Sequence, residues 1–212
     1  MSEARQNIRV RFAKGGSLRF ISHHDLMRVF ERALRRAGLP VAMSEGYHPR
    51  PKLSLPAPLA VGYAGHNEVA DFALSEWTRP AQFLTRLQSE CPDGLTLLSA
   101  ETTAIHPNRQ PAELSYVVPL LPGHPLTAER IGLLLSEPSA FVTRQRGREE
   151  RRVDVRRFIK ALRIEGGSLL MLIACLPEGT ARPGEVMEAL GCREGEHYLK
   201  GSIERVNVNL PS

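Results

Sequence analysis

Residues 44–52, Ser44-Glu45-Gly46-Tyr47-His48-Pro49-Arg50-Pro51-Lys52, put an aromatic ring, an imidazole and two cations close together. Gly46 admits a backbone conformation closed to other residues. Pro49 and Pro51 stiffen an extended course. This combination suits a polyanion that carries flat bases: Tyr47 can stack, while His48, Arg50 and Lys52 line a phosphate track. A stiff loop also loses less entropy when a ligand orders it. The plain alternative is a structural crossover with its ring buried.

Two further groups invite the same reading. Arg28, Arg32, Arg35 and Arg36 recur at helical spacing on the polar side of an apolar stripe made by Leu26, Val29, Phe30, Ala33, Leu34 and Ala37. Later, Arg144-Gln145-Arg146-Gly147-Arg148-Glu149-Glu150-Arg151-Arg152 forms a second basic stretch, extended by Arg156, Arg157 and Lys160. Arg144 and Arg146 alternate on an expected strand and so share a face. That stretch reads either as a second arm on the same polyanion or as an exposed hairpin tip with self-paired charges. His23 and His48 are candidates for general acid/base work in RNA cleavage. Asp25, Glu45 and Asp154 have no metal-ligand spacing relative to either histidine, and no metal or cofactor is expected.

The charge is patterned. The whole chain of 212 residues carries 28 Lys+Arg against 23 Asp+Glu, a net charge of +5. Residues 1–57 hold 11 basic and 4 acidic side chains, and residues 144–163 hold 9 and 3. Lysine accounts for four of the cations, Lys14, Lys52, Lys160 and Lys200. Arginine's planar fork suits bidentate phosphate contacts and stacking on bases. An apolar fraction of 42% excludes a disordered chain. No apolar run approaches the roughly 20 residues of a membrane-spanning helix, and Met1 to Asn7 has no signal core, so a cytoplasmic protein away from membranes is expected. Cys91, Cys175 and Cys192 form neither a disulfide framework nor a CxxC pair.

The elements that must position these residues follow from periodicity. Residues 7–13 alternate with Ile8, Val10 and Phe12 inward, which predicts a strand. Ser22-His23-His24-Asp25 fits a capping box, opening a helix that ends at Gly38. A short extended piece at 53–55, a strand over 67–75, a helix over 79–90 and a strand over 95–100 complete a β-α-β-β-α-β order. After a Pro-containing connector the order repeats. The second set comprises a strand at 114–121, a helix at 127–135, strands at 140–146 and 169–176, a helix at 184–190 and a strand at 201–209. The expected fold is therefore α+β, with two tandem ferredoxin-like (β-α-β-β-α-β) units. Residues 1–103 form the first, 104–112 the connector and 113–212 the second.

Several of these segments resemble a known family. Arg9-Val10-Arg11-Phe12, Ser22-His23-His24-Asp25-Leu26-Met27-Arg28, Arg32-Ala33-Leu34-Arg35-Arg36-Ala37-Gly38-Leu39-Pro40 and Ser44-Glu45-Gly46-Tyr47-His48-Pro49-Arg50-Pro51 are similar to the radical-SAM-linked protein family, a bacterial domain of unknown function. The likeness continues through Arg144-Gln145-Arg146, Val153-Asp154-Val155-Arg156 and Thr180-Ala181-Arg182-Pro183-Gly184-Glu185. His24 and the pair Tyr47-His48 depart from the residues more usual there. The resemblance implies a partner that does radical chemistry. The chain itself lacks the Cys-x3-Cys-x2-Cys motif that would hold such a partner's cluster.

Three functions follow as expectations. The first is a noncatalytic RNA-binding accessory subunit that presents structured RNA (tRNA or rRNA) to a radical SAM modifying enzyme. Its nucleic-acid contacts would be Arg28, Arg32, Arg35, Arg36, Tyr47, His48, Arg50, Lys52, Arg144, Arg146 and Arg156. The second is a metal-independent endoribonuclease using His23 or His48. The third is a module that docks on a radical SAM protein without nucleic acid.

Overall fold

A computed structural model describes residues 4–104, 110–147 and 149–211, the Arg146 side chain excepted. The chain is mixed α+β and divides into two compact units, Met1–Gln110 with Pro211–Ser212, and Pro111–Leu210.

Unit 1 begins with β1 (Gln6–Lys14), whose alternation buries Ile8, Val10 and Phe12. Helix α1 (His23–Arg36) follows, then β2 (Leu53–Ser54), β3 (Ala64–Leu74), α2 (Pro80–Gln88) and β4 (Leu95–Thr103). The strands lie in the order β2-β3-β1-β4, antiparallel throughout, with Ile8 opposite both Phe72 and Thr102. Ser22 caps α1: its hydroxyl oxygen accepts from the Asp25 N–H at 3.1 Å and its O–H donates to the Asp25 carboxylate at 2.7 Å. The helix stops at Gly38, where φ is +60°. Its buried stripe meets the sheet through a relay of rings. Phe12 and Phe30 are 5.3 Å apart, Phe30 and Phe72 5.4 Å, and Phe72 and Phe83 5.4 Å. Each such pair adds about 1 kcal/mol beyond its buried area, so the relay locks α1 and α2 onto one sheet face.

In unit 2, β5 (Glu113–Pro119) leads to α3 (Ala128–Ser136), then to β6 (Phe141–Arg146) and β7 (Glu149–Asp154). Next come β8 (Ile159–Glu165), β9 (Ser168–Leu176), the short β10 (Gly179–Thr180), α4 (Pro183–Ala189) and β11 (Glu204–Asn209). Its main sheet runs β8-β9-β5-β11, with β10 on the end of β9. Counting these four strands alone, without the β6-β7 hairpin and β10, this is the same second-third-first-fourth order as unit 1. Leu114, Tyr116, Val118, Leu169, Met171 and Ile173 of the strands are buried, as are Ile131 and Leu134 of α3 and Val186 and Met187 of α4.

One expected strand has a different role. Residues 140–146 were to supply the second strand of this sheet. Instead, β6 pairs with β7 as a separate hairpin, Phe141 opposite Asp154, and β8 occupies the sheet position. A register shift between Ile159 and Ala161 breaks the alternation of β8, which hides it from a period-two reading.

Candidate nucleic-acid interface

The stretch from Ala42 to Lys52 is a finger built on the end of β3. Its base is tied by three backbone bonds: Ala42 N–H to the Ala73 carbonyl at 2.8 Å, Ala73 N–H to Lys52 at 3.0 Å, and Lys52 N–H to Ala42 at 2.8 Å. Higher up, Ser44 N–H donates to the Arg50 carbonyl at 2.8 Å, and Arg50 N–H returns a bond to the Ser44 hydroxyl at 3.0 Å. Gly46 turns the tip at φ +121°, in open space, so its requirement is conformational. Tyr47 is 99% exposed at that tip, its ring edge-on to His48 at 6.0 Å. His48, Arg50 and Lys52 are exposed, and neither Arg50 nor Lys52 meets a carboxylate among the described residues. The crossover keeps a structural base, but its aromatic is not buried.

The arginine face of α1 is mostly available. Arg32 and Arg35 project into solvent with no ion pair among the described residues. Arg28 is joined to Asp25 at 3.2 Å, both ends open to water, a contact of little energetic weight. Arg36 is engaged more firmly: its Nε donates to Glu90 at 2.8 Å and its Nη2 reaches the Glu90 carbonyl. From α2, Arg86 donates to the carbonyls of Ala37 and Gly38 at 2.6 and 3.0 Å, which fixes the end of α1 that runs into the finger.

The second basic stretch is used differently from the expectation. Arg144 forks onto Glu185, Nε to Oε1 at 2.6 Å and Nη2 to Oε2 at 2.7 Å, and adds the Thr180 carbonyl at 2.8 Å. The same carboxylate accepts the Arg182 N–H at 2.8 Å and so caps α4. Arg156 donates to the Leu135 carbonyl from Nε and Nη2, at 3.1 and 2.7 Å, and to Ile159 from Nη1 at 3.1 Å. It thereby closes the C-terminus of α3. Arg157 pairs with Glu178, and Lys160 with Glu113 at 2.6 Å. Arg152 lies 4.1 Å over the Phe141 ring. Arg144 and Arg156 are thus structural cations, and the hairpin carries internal partners. The side chain of Arg146 lies outside the described residues.

The two candidate histidines lie in different surroundings. His23 lines a cavity of about 10 Å³ with Lys14, Glu68, Phe12 and Leu26, room for about one water. Burial, with smaller contributions from His24 and Lys14, holds its pKa below the ordinary 6.5. His48 stands in solvent beside Tyr47. Among the described residues no group of three or more His, Cys, Asp or Glu could hold a metal ion, and no helix is long and apolar enough to cross a membrane. Burial raises the Cys91 thiol to about 11. Unit 2 has a larger groove, about 510 Å³, on its open sheet face beside Val117, Leu170, Leu172 and Arg163. It contains none of the expected site residues.

Trp77, like Phe20 and Leu133, is an exposed apolar side chain that periodicity does not single out. It is 73% exposed on the loop after β3. The available signal was a lone tryptophan in a polar stretch, Ser75-Glu76-Trp77-Thr78-Arg79, placed between a strand and a proline-led helix.

No curated protein sequence matches the chain. Among solved structures, it is similar to a chain of a Cbf5-Nop10-Gar1 complex, with 15% identity and a TM-score of 0.46, covering 96% of this chain and 48% of that one. It is likewise similar to a chain of the archaeal box H/ACA sRNP Nop10-Cbf5 complex, with 16% identity, a TM-score of 0.42, and coverage of 98% and 49%. The chain therefore spans about half the length of those neighbours. A family model matches residues 7–183, the region that holds α1, the finger and the hairpin, and the chain belongs to that family, the uncharacterized proteins conserved in bacteria known as DUF2344.

Proposed function

We propose that the protein is an RNA-binding accessory subunit whose binding surface is the finger and the arginine face of α1. The observation that carries this reading is Tyr47, fully presented at the tip of a hydrogen-bonded loop that also carries Arg50 and Lys52, which meet no carboxylate among the described residues. A ring left in water forgoes the roughly 2 kcal/mol that burial would give. Held rigid, it offers a face for a base at low ordering cost. Arg32 and Arg35 supply phosphate contacts with no internal pair to break first. Arg144 and Arg156 are withdrawn from the interface, and Arg28 and Arg36 contribute less than their exposed neighbours.

On this reading each unit is ferredoxin-like, which the shared strand order supports. The RNA is tRNA or rRNA, handed to a radical SAM modifying enzyme as the family resemblance implies. The test is binding of labelled cellular RNA across a salt series. Affinity should fall steeply with salt, as counterion release requires. Absent binding at low salt, or binding indifferent to salt, overturns the proposal.

A further inference from the structure

Trp77 is exposed, yet its loop is fixed. The Gln6 side chain is buried and clamps the loop as an amide pair: its Nε2 donates to the Thr78 carbonyl at 3.0 Å, and its Oε1 accepts the Thr78 N–H at 2.8 Å. Gln6 Nε2 also reaches the Thr102 hydroxyl at 3.2 Å, which ties the clamp to β4. On the other side of Trp77, both the N–H and the hydroxyl of Ser75 donate to the Pro40 carbonyl, at 2.8 and 3.2 Å. Pro40 is the residue through which α1 passes into the finger. The Trp77 loop and the finger base therefore leave the same end of β3, where Val41 faces Leu74 and Leu53 faces Phe72.

We infer that Trp77 is a second stacking platform beside Tyr47, and that the RNA bound at this end of unit 1 is unpaired. The inference rests on the RNA-binding reading and deepens it by naming the substrate class. Two aromatic rings stand in solvent on separately clamped loops; Lys52 at the finger base and Arg79 in the Trp77 loop are exposed, and Glu76 is the one acid next to Trp77 in sequence. Stacking requires a free base face, which a duplex interior withholds and a loop or single strand offers. A duplex could meet the arginines through its phosphates but would leave both rings idle.

The chain has a single tryptophan, so selectively excited indole emission reports Trp77 alone. The experiment titrates the intact protein with a labelled single-stranded oligouridylate of about ten nucleotides, and separately with an RNA duplex of that length. Label anisotropy and indole emission are read together. Expected are saturable quenching by the single strand that tracks the anisotropy, and duplex binding without quenching. Trp77→Ala should weaken single-strand binding roughly tenfold, while Trp77→Phe, which keeps a flat ring, retains most of it. Anisotropy that rises without quenching, or full affinity in Trp77→Ala, overturns this inference and leaves the RNA-binding reading standing. Equal quenching by duplex overturns the unpaired-strand assignment. No anisotropy change with either RNA at low salt overturns both, and assigns the ring to a protein contact.

Discussion

Arg32 and Arg35 stand exposed on α1 with no ion pair among the described residues, whereas Arg144 is forked onto Glu185 and Arg156 onto the carbonyls of Leu135 and Ile159. Both stretches are rich in arginine. They differ in what faces them. The apolar stripe of α1 turns toward its sheet, so Arg32 and Arg35 lie on its solvent side, while Arg36 at its end reaches Glu90. On β6 the Arg144 face meets the start of α4, where Glu185 already caps the helix. A solvated guanidinium can release counterions onto a phosphate at once. A guanidinium seated on a buried carboxylate must first abandon it, and would leave that carboxylate with only the longer Arg182 contact at 3.9 Å. Charge density in the sequence therefore names candidates, and the opposing surface decides which are free.

The sharpest way to break this comparison is Arg144→Met. Glu185 has 9% of its side chain exposed and would lose its bidentate partner, keeping only Arg182, so the variant should be destabilised by about 3 kcal/mol in urea unfolding. RNA affinity, measured where the variant is folded, should not change. A variant of full stability would show that Arg144 is as available as Arg35. The converse substitution is Tyr47→Ala, which should cost roughly tenfold in RNA affinity and leave the unfolding midpoint unmoved, since the ring is 99% exposed. If stability falls and affinity does not, the finger is a structural element after all. A finer distinction comes from Arg32→Gln with Arg35→Gln. Each lost phosphate contact on a single strand should flatten the log–log salt slope by about 0.7, whereas Arg157→Gln, whose guanidinium is held by Glu178, should leave it unaltered.

Much of unit 1 was legible because its signals are local. Ser22 and Asp25 lie three residues apart and make the cap their spacing predicts. Ile8, Val10 and Phe12 alternate as a half-buried strand must. Gly46 and the two prolines announced a stiff turn, and Tyr47 proved to be its exposed tip. Unit 2 was harder because its deciding contacts are remote. Arg144 and Glu185 are 41 residues apart, and Arg156 and Leu135 are 21 apart; nothing in either neighbourhood names the partner. The bulge in β8 set Lys160 and Ala161 side by side as exposed residues, so the strand did not alternate. Trp77 was missed for a related reason. Its exposure depends on Gln6, 72 residues from Thr78, which holds the loop from beneath.

The smallest expected effect concerns the other end of α1, and it separates a structural histidine from a functional one. Burial first, then His24 and Lys14, disfavour the charged form of His23. Its folded pKa lies below the ordinary 6.5 that the unfolded chain would show. As pH falls through that value, the unfolded state takes up a proton that the folded state still refuses, and stability declines until the folded ring also protonates. Asp25 opposes none of this in that window, because the Ser22 hydroxyl, and after it Arg28, holds its carboxyl below the usual range. The unfolding midpoint should therefore drop between about pH 7.5 and about 5.5, with a shallower drop in His23→Gln. RNA affinity should be the same in both proteins, since the cavity beside His23 admits about one water and no nucleotide. A His23→Gln variant that binds RNA poorly, yet unfolds with the wild-type pH dependence, would move the interface from the finger to the start of α1.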